Sequence, residues 1–156
     1  MNALMTVVCK LTQGLNWLGQ FLPQLGLRLF LAWEFWASGM AKLRGENWFA
    51  EVQDKFLFPF SLLPVDVNWT LAMGTELLGS IALVLGLGTR FAAAALMTLD
   101  IMAWISVHAG NGYNFCNNGF KLELIYLVMF IPLLLSGPGK VSLDHLIVPR
   151  ILRRSS

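Results

Sequence analysis

Charged residues are scarce in this sequence. Only 13% of its 156 residues are Asp, Glu, Lys or Arg, whereas 56% are hydrophobic. Soluble domains carry about 25% charged residues, so this composition argues against a soluble domain and indicates one compact integral membrane unit. The net charge of +2 and the lack of a long run of Lys or Arg argue against nucleic acid as a partner.

Cysteine and the motifs of common cofactors are also rare or missing. Cys9 and Cys116 form no metal-binding spacing, and there is no CxxC, haem motif, nucleotide loop or HExxH. The N-terminus lacks the charged start and cleavage site of a signal peptide, so we expect the mature chain to begin near Met1. Any catalysis would depend on carboxylates, on His108 or on a borrowed cofactor, and whether the chain is an enzyme stays open.

Four stretches meet the apolar criterion for a membrane-spanning helix of about 20 residues. They are residues 23–43, 69–87, 91–108 and 121–136. Glycines and Thr89 between the second and third stretches predict a tight turn, which makes these two helices antiparallel neighbours. The sequence therefore predicts an all-α, polytopic membrane protein built as a bundle of four transmembrane helices.

The segments outside the four apolar stretches differ from them in composition. Residues 1–22 place apolar residues at helical spacing opposite polar ones, which predicts an amphipathic helix in the membrane interface. Residues 44–68 mix charges with aromatic residues and predict a structured loop at the headgroup level. The predicted organisation is thus an interfacial helix (1–22), a membrane domain (23–140) and a short surface helix with a basic tail (141–156).

The basic residues indicate an orientation in the membrane. Six of them (Lys10, Arg90, Lys140, Arg150, Arg153 and Arg154) flank one side, against four on the other (Lys42, Arg44, Lys55 and Lys121). Because loops rich in Lys and Arg stay in the cytoplasm, we expect both termini to be cytoplasmic and the loops 44–68 and 109–120 to lie outside.

Each apolar stretch contains an acid that lipid disfavours. These are Glu34, Glu76, Asp100 and Glu123. A carboxylate at the centre of a bilayer costs at least about 2.5–3.5 kcal/mol, so such groups normally face a bundle interior, a partner charge or a water-filled cavity. The four acids mark the place to look for function.

Three of these acids are predicted to lie at one depth. Counted from the outer ends of their helices at about 1.5 Å per residue, Glu34, Glu76 and Asp100 lie about 10–12 Å deep, whereas Glu123 is nearer the rim. Helical spacing also predicts three polar stripes that lead outward, Glu34–Ser38–Lys42, Asp100–Trp104–His108 and Glu76–Ser80. If all three face inward, they form a polar funnel that opens on the outer side.

Two interpretations of the acids stay open. In the structural one, they pair with Arg28, Lys42 and Lys121, or with hydroxyls and backbone, and fix the register of the helices. In the functional one, Glu34, Glu76, Asp100 and His108 bind a ligand or relay protons, since four acids outnumber the nearby cations and full ionisation would make them repel one another. Trp36, Lys42, Trp104 and Glu123 are then candidate contacts for a quinone ring, although core or lipid-facing packing is the commoner role for such tryptophans.

Three stretches resemble the DoxX family of small bacterial inner-membrane proteins. They are residues 35–43 (FWASGMAKL), residues 76–79 continuing to 85–90 (ELLG and LGLGTR), and residues 137–144 (GPGKVSLD), and the resemblance spans residues 25–146. It implies a four-helix protein of the inner membrane. Some relatives are subunits or accessory proteins of membrane oxidoreductases, including quinone-linked sulfur oxidation, and others help export or mature small metal-binding peptides.

The resemblance and the acids together give the expected function. We expect an accessory or small redox subunit of a membrane oxidoreductase system, in which the carboxylate cluster binds a quinone or relays protons. The alternative is a non-catalytic helper for a metal ion or a metal-binding peptide, and a purely structural subunit is a third possibility. Besides the lipid bilayer, a membrane or periplasmic protein and a second copy of the chain are possible partners.

Overall fold

The computed structural model describes residues 2–115 and 117–145. These residues contain five long helices and several single turns, without a strand in the described ranges, and the structure is 78% helical. The predicted all-α class is therefore confirmed. The C-terminal surface helix predicted for residues 141–156 falls largely outside the described residues, which include only its beginning.

The first helices follow the predicted pattern closely. Helix α1 covers Asn2–Gly19, and α2 covers Leu22–Arg44 with Pro23 in its first turn, where a missing N–H is tolerated. Most described apolar side chains of α1, such as Val8, Leu11 and Leu15, are exposed. That exposure is what an amphipathic interfacial helix requires, and its position at a membrane surface stays a prediction.

The other three long helices form an antiparallel series. Helix α3 covers Val65–Leu85, α4 covers Thr89–Ala103 and α5 covers Lys121–Ser136. Gly86 and Gly88, both with positive φ, make the turn between α3 and α4, which confirms the predicted tight connection. Helix α4 does not stop at Ala103, because a π turn (Trp104–His108) and a 3₁₀ turn (Ala109–Asn111) continue it.

The four helices α2–α5 pack in a ring, each against the next and α5 against α2. Their apolar core fills the half of the ring that is nearer to the α3–α4 turn. It consists of Leu31, Ala32, Phe35, Leu83, Ala93, Leu96, Phe130 and Leu133. Gly79 lets α3 approach α4, since a Cβ there would lie 3.0 Å from the side chain of Leu96. The acids lie in the other half.

Two helical segments are long and apolar enough to cross a membrane. They are Val65–Leu85 and Thr89–Asn111, judged by length and composition among the described residues. A membrane protein agrees with this result. The expectation of four spans goes further and stays a prediction for α2 and α5.

The segment between α2 and α3 is a compact aromatic loop, defined here as residues 45–64. It contains three single 3₁₀ turns, Phe49–Glu51, Gln53–Lys55 and Phe60–Leu62. Phe49 packs edge-to-face against Phe56 and Trp69, with ring centroids 5.3 and 5.0 Å away. Such contacts give the loop a core of its own, which agrees with the expectation of a structured loop.

Arg28 joins three parts of the chain. Its side chain is 1% exposed, and its guanidinium donates to the carbonyls of Leu83 (2.7 Å), Val84 (2.8 Å), Pro138 (3.0 Å) and Val141 (2.6 Å). The first two are carbonyls of the last turn of α3, and Leu83 O also accepts a hydrogen bond from the N–H of Gly86 (3.2 Å). Arg28 was one possible partner of the acids in the structural interpretation, and the structure gives its guanidinium carbonyl partners instead.

Asp144 stabilises the same end of the bundle. Its carboxylate accepts from the backbone N–H groups of Gly88 (2.8 Å) and Thr89 (3.2 Å), and its own N–H donates to the carbonyl of Gly86 (3.0 Å). An acid at this position satisfies free N–H groups at the start of α4 and interacts favourably with the helix dipole. The segment after α5 is thus anchored to the α3–α4 turn.

We predict that Arg28→Lys lowers the stability of the protein markedly. One ammonium group cannot reach four carbonyls on two segments, and each lost hydrogen bond to a buried charged group contributes about 1.5–3 kcal/mol. The measurement is unfolding of the purified protein in mixed micelles. Arg90→Lys is the control, because Arg90 is exposed and donates only to Leu135 O in the described part of the chain. Equal stabilities of the two variants would contradict the role given to Arg28.

Candidate functional site

The acids of the four helices surround one cavity of about 400 Å³, called here the polar cavity. It lies in the half of the bundle away from the α3–α4 turn. Six of the eight predicted site residues line it: Glu34, Lys42, Glu76, Asp100, His108 and Glu123. Ser38 and Tyr126 line it as well. The structure therefore brings together residues that are up to 92 positions apart in the sequence.

Lys42 and Glu76 form a close ion pair at one side of this cavity. The Lys42 Nζ lies 2.7 and 2.9 Å from the two carboxylate oxygens of Glu76, and the side chains are 13% and 7% exposed. Ser38 Oγ donates to Glu76 Oε1 (3.1 Å) and accepts from Lys42 (2.9 Å). For Glu76, the structural interpretation, in which an acid pairs with Lys42, thus agrees with the geometry. The pair adds no net charge when both groups are ionised.

His108 and Glu123 form a second pair, with Nε2 3.1 Å from Oε1. The other ring nitrogen, Nδ1, lies 2.8 Å from the carbonyl oxygen of Asn118. Since a carbonyl only accepts, Nδ1 must carry a hydrogen. Nε2 then either accepts a proton from a neutral Glu123 or donates one to its carboxylate, so a proton lies between the two side chains in both cases.

Glu123 lies in the first turn of α5, close to the end of the helix. Glu123 is 8% exposed and faces the polar cavity. Lys121, which was expected to pair with the acids, lies over the rings of Tyr113 and Phe115, with its ammonium 5.1 and 4.4 Å from their centroids. Counting residues from the end of a helix gives the depth of a side chain but not its neighbours. It therefore could not predict that the segment after α4 folds over the start of α5.

Asp100 is the most isolated acid of the cavity. It is 4% exposed, and neither its Oδ2 nor the Oε2 of Glu123 has a hydrogen-bond partner among the described residues. Glu34, by contrast, accepts a hydrogen bond from the Tyr126 hydroxyl (3.0 Å). A buried carboxyl oxygen without a partner is costly, so each of the two free oxygens is a place for a proton.

Trp36 and Trp104 do not line the polar cavity. Trp36 is 40% exposed and lies in a shallow groove with Trp33 and α3. A spacing of two residues from Glu34 puts it on a different face of α2. Trp104 stacks on Phe120, with centroids 5.2 Å apart and ring planes at 21°. The stripe through Asp100, Trp104 and His108 assumed an uninterrupted α-helix, but the π turn begins at Trp104.

A second cavity of about 310 Å³ was not predicted from the sequence. This aromatic cavity lies between α3, α4 and the aromatic loop. Aromatic side chains form one wall: Trp48, Phe49, Phe56 and Phe60. Small residues on α3 and α4, such as Ala72 and Ala95, leave the space open. The density of aromatic residues in the loop opposite small helix residues is the signal that could have revealed it.

The two cavities share a wall. Lys42, Trp48, Glu76, Leu99, Ala103 and Val107 line both of them. The Lys42–Glu76 pair therefore stands between an apolar space and a space rich in carboxyl groups. Among the described residues, no group of three or more His, Cys, Asp or Glu side chains is arranged to hold a metal ion.

Comparison with known proteins identifies the family. The model of the DoxX family matches residues 24–109, which is more than half of the chain. The chain belongs to the DoxX family. A Haemophilus influenzae protein, described only as uncharacterized, is 52% identical over 139 residues that cover 89% of each chain. The predicted family is thus confirmed.

A second relative and the structural comparison add little about function. Another uncharacterized protein of Haemophilus influenzae is 41% identical over 73 residues, which cover 45% of this chain and 54% of that protein. No solved structure matches the chain. The DoxX match contains Lys42, Glu76, Asp100 and His108, whereas Glu123 lies beyond it.

We predict that the Lys42–Glu76 pair is energetically coupled. Lys42→Met leaves a buried carboxylate without its partner and should cost about 3–5 kcal/mol. The double variant Lys42→Met/Glu76→Gln removes both charges and should be more stable than Lys42→Met alone. Unfolding in mixed micelles measures all four members of this cycle. Lys55→Met, at an exposed position, is the control for loss of one positive charge. Additive effects of the two substitutions would contradict the pairing.

Proposed function

We propose that this DoxX protein is an accessory subunit of a membrane redox system, in which the carboxyl groups of the polar cavity carry protons to or from a quinone. One observation carries this proposal. Asp100 and Glu123, both buried, each have an oxygen without a partner beside a histidine that already shares a proton with Glu123. Intramembrane acids that are buried without a neutralising partner are functional candidates by default.

The residues of the cavity have different roles in this proposal. His108 is fixed by the Asn118 carbonyl, so its Nε2 is held toward Glu123 and can exchange a proton with it. Asp100 offers a further acceptor deeper along α4. Glu34 and Tyr126 hold each other and shape the opposite wall. Proton transfer needs donors and acceptors within hydrogen-bond reach, directly or through a water molecule.

The chain also offers a fit for a quinone ring. Apolar and aromatic residues surround the aromatic cavity, while the Lys42–Glu76 pair gives that space a polar wall toward the acids. A quinone, when bound, supplies a centre that takes up two electrons and two protons. This chain would hold the ring and provide the proton route. Because its sequence has no haem, nucleotide or CxxC motif, electrons would come from a membrane or periplasmic partner protein.

We further propose that all four helices α2–α5 span the bacterial inner membrane, with both termini in the cytoplasm. Helix α2 has 23 residues and α5 has 16. At about 1.5 Å per residue these are about 35 and 24 Å long, so α5 needs its flanking segments or a thin bilayer to cross. Large side chains such as Trp33, Leu78 and Phe91 are exposed on the outside of the ring, which suits lipid or a second copy of the chain.

The alternative function as a helper for metal ions or metal-binding peptides has less support. The described residues include no group of three or more His, Cys, Asp or Glu side chains arranged for a metal. The two free carboxyl oxygens, at Asp100 and Glu123, are fewer than the four ligands that a closed metal site needs. Proton transfer requires only one such group at a time.

We predict that Asp100 changes its protonation when a quinone is reduced nearby. Redox-induced infrared difference spectroscopy of the protein in nanodiscs with ubiquinone should show a carboxylic-acid band. Asp100→Asn should lose that band, whereas Glu51→Gln, an exposed acid of the aromatic loop, should keep it. Glu123→Gln should shift it, because Glu123 lines the same cavity. A spectrum of Asp100→Asn that equals the wild-type spectrum would sink the proposed proton route.

We predict opposite accessibility for the two ends of the bundle. In a Cys9→Ser/Cys116→Ser background, a membrane-impermeant maleimide should label Glu51→Cys in intact cells but His145→Cys only after permeabilisation. Both positions are exposed in the structure, so burial does not explain a difference. The reverse pattern would show that the orientation is inverted. Labelling of both in intact cells would contradict the four-span topology.

A further inference from the structure

We propose that the polar cavity also binds a small organic cation, namely a protonated amine with an apolar body. This goes beyond the proposed function, in which the carboxyl groups of that cavity carry protons and nothing else. It gives two of them, Glu34 and Asp100, a ligand of their own. The binding requires neither a quinone nor a partner protein.

The cations that line the polar cavity are already paired. Lys42 binds Glu76, with its Nζ 2.7 Å from Oε1. His108 and Glu123 form the other pair, with 3.1 Å between Nε2 and Oε1. Because one proton lies between these two side chains, their pair has no net charge whichever of them holds it. Neither pair can neutralise a further acid.

Glu34 and Asp100 are the acids that remain. Neither forms an ion pair within the described part of the chain, and both line the polar cavity. Glu34 Oε2 accepts a hydrogen bond from the Tyr126 hydroxyl (3.0 Å), whereas Asp100, which is 4% exposed, accepts none from a described residue. A buried carboxylate without a counter-charge is unfavourable, so these two acids need either protons or a cation.

One oxygen of each of these acids can be reached from the cavity. Oδ2 of Asp100 is enclosed by protein and is not available to a ligand. Oδ1 of Asp100 and Oε1 of Glu34 also lack a hydrogen-bond partner among the described residues, but they do not belong to the enclosed atoms. Since both side chains line the cavity, these oxygens face its space. The cavity thus offers acceptors from α2 and from α4.

Lys42 shows how this cavity holds an ammonium group. Its Nζ donates to the two carboxylate oxygens of Glu76 (2.7 and 2.9 Å) and to Ser38 Oγ (2.9 Å), which uses all three of its hydrogens. An amine from outside can donate to Glu34 and Asp100 in the same manner. Phe35 and Tyr126 line the cavity as well, and the faces of aromatic rings attract cations.

The rest of the lining favours an organic cation over a metal ion. Apolar side chains form much of the remaining wall: Ala37, Leu99, Ala103, Val107 and Leu122. The volume of about 400 Å³ lies within the range of small-molecule sites. No group of three or more His, Cys, Asp or Glu side chains among the described residues is arranged to hold a metal ion. An ammonium group on an apolar body matches both the acids and the apolar wall.

The cavity has an opening between α2 and α5. Ala37 on α2 and Leu122 on α5 line it and are exposed. These two helices are also the least extensively packed of the four neighbouring pairs in the ring. Glu34 lies about one helical turn from Ala37 and is half-buried. A ligand that enters here can reach Glu34 and then the more deeply buried Asp100.

Binding of three probes tests the requirement for positive charge. The probes are benzylammonium, benzyl alcohol, which has a similar shape and no charge, and benzoate, which has the opposite charge. Isothermal titration of the purified protein in phosphatidylcholine nanodiscs, without quinone, gives the affinities, and empty nanodiscs give the background. We expect benzylammonium to bind about tenfold or more tightly than the other two, because only it can donate charged hydrogen bonds to the acids. Equal affinity for benzylammonium and benzyl alcohol would overturn the proposal.

Substitution of the two acids tests which groups hold the cation. Glu34→Gln and Asp100→Asn keep the size of the side chains, and each should weaken binding of benzylammonium about tenfold or more. Glu51→Gln, which removes an exposed acid outside the cavity, should change it less than about twofold. Benzylammonium binding that survives in both cavity variants would overturn the proposal. Equal losses for benzylammonium and benzyl alcohol would show that shape holds the ligand, and they would overturn it as well.

A pair of variants on α2 tests the location of the ligand. Ala37→Phe fills the opening of the cavity and should weaken binding of benzylammonium about tenfold or more. Ala41→Phe, at an exposed position one turn further along α2 and outside the cavity lining, should change it less than about twofold. Equal effects of the two phenylalanines would place the ligand outside this cavity.

The cation site and the proposed proton route can fail independently. Benzylammonium binding is measured without quinone, and the infrared band of Asp100 is measured without an amine. An intact band together with no preference for benzylammonium contradicts the cation site alone. Tight binding of benzylammonium in a protein that shows no band contradicts the proton route alone.

Discussion

A single buried guanidinium determines how the helices of this protein are arranged. Arg28 enters the bundle from α2 and donates to carbonyls at the end of α3 and in the segment after α5. Carbonyl oxygens at the C-terminus of a helix carry partial negative charge, and Asp144 adds a full negative charge close enough to favour the charged guanidinium. With one end of the ring fixed in this way, the opposite half is free to contain polar groups instead of a close-packed core.

The polar half is organised by the Lys42–Glu76 pair. It separates the acids around Asp100 from the apolar space beneath the aromatic loop, and it contributes to both walls. An ion pair in such a position can face two environments without adding net charge to either. The same few residues thus connect a set of buried carboxyl groups with a space suited to an apolar ligand, and the proposed redox role depends on both parts.

Much of the framework followed from local sequence patterns. The bounds of α5, the turn between α3 and α4 and the approach of Glu34, Glu76 and Asp100 to one cavity depend on hydrophobicity and helical spacing. The failures had tertiary causes. The ammonium group of Lys121 lies over aromatic rings instead of beside acids, and the guanidinium of Arg28 donates to carbonyls that only folding brings close to it. The aromatic cavity forms because a loop folds over two helices. The spacing of hydrophobic residues within one helix does not predict such a contact.

The binding of Arg28 also has a consequence for the order in which the protein is made. Its first partners, Leu83 and Val84, are synthesised 55 and 56 residues after it, and the others, Pro138 and Val141, 110 and 113 residues after it. Until those segments have been made, the guanidinium of Arg28 has none of these four partners. A chain that ended before residue 138 would leave two of the four hydrogen bonds unmade, so the pairing of a side chain near the start of the bundle depends on a segment that follows its last helix.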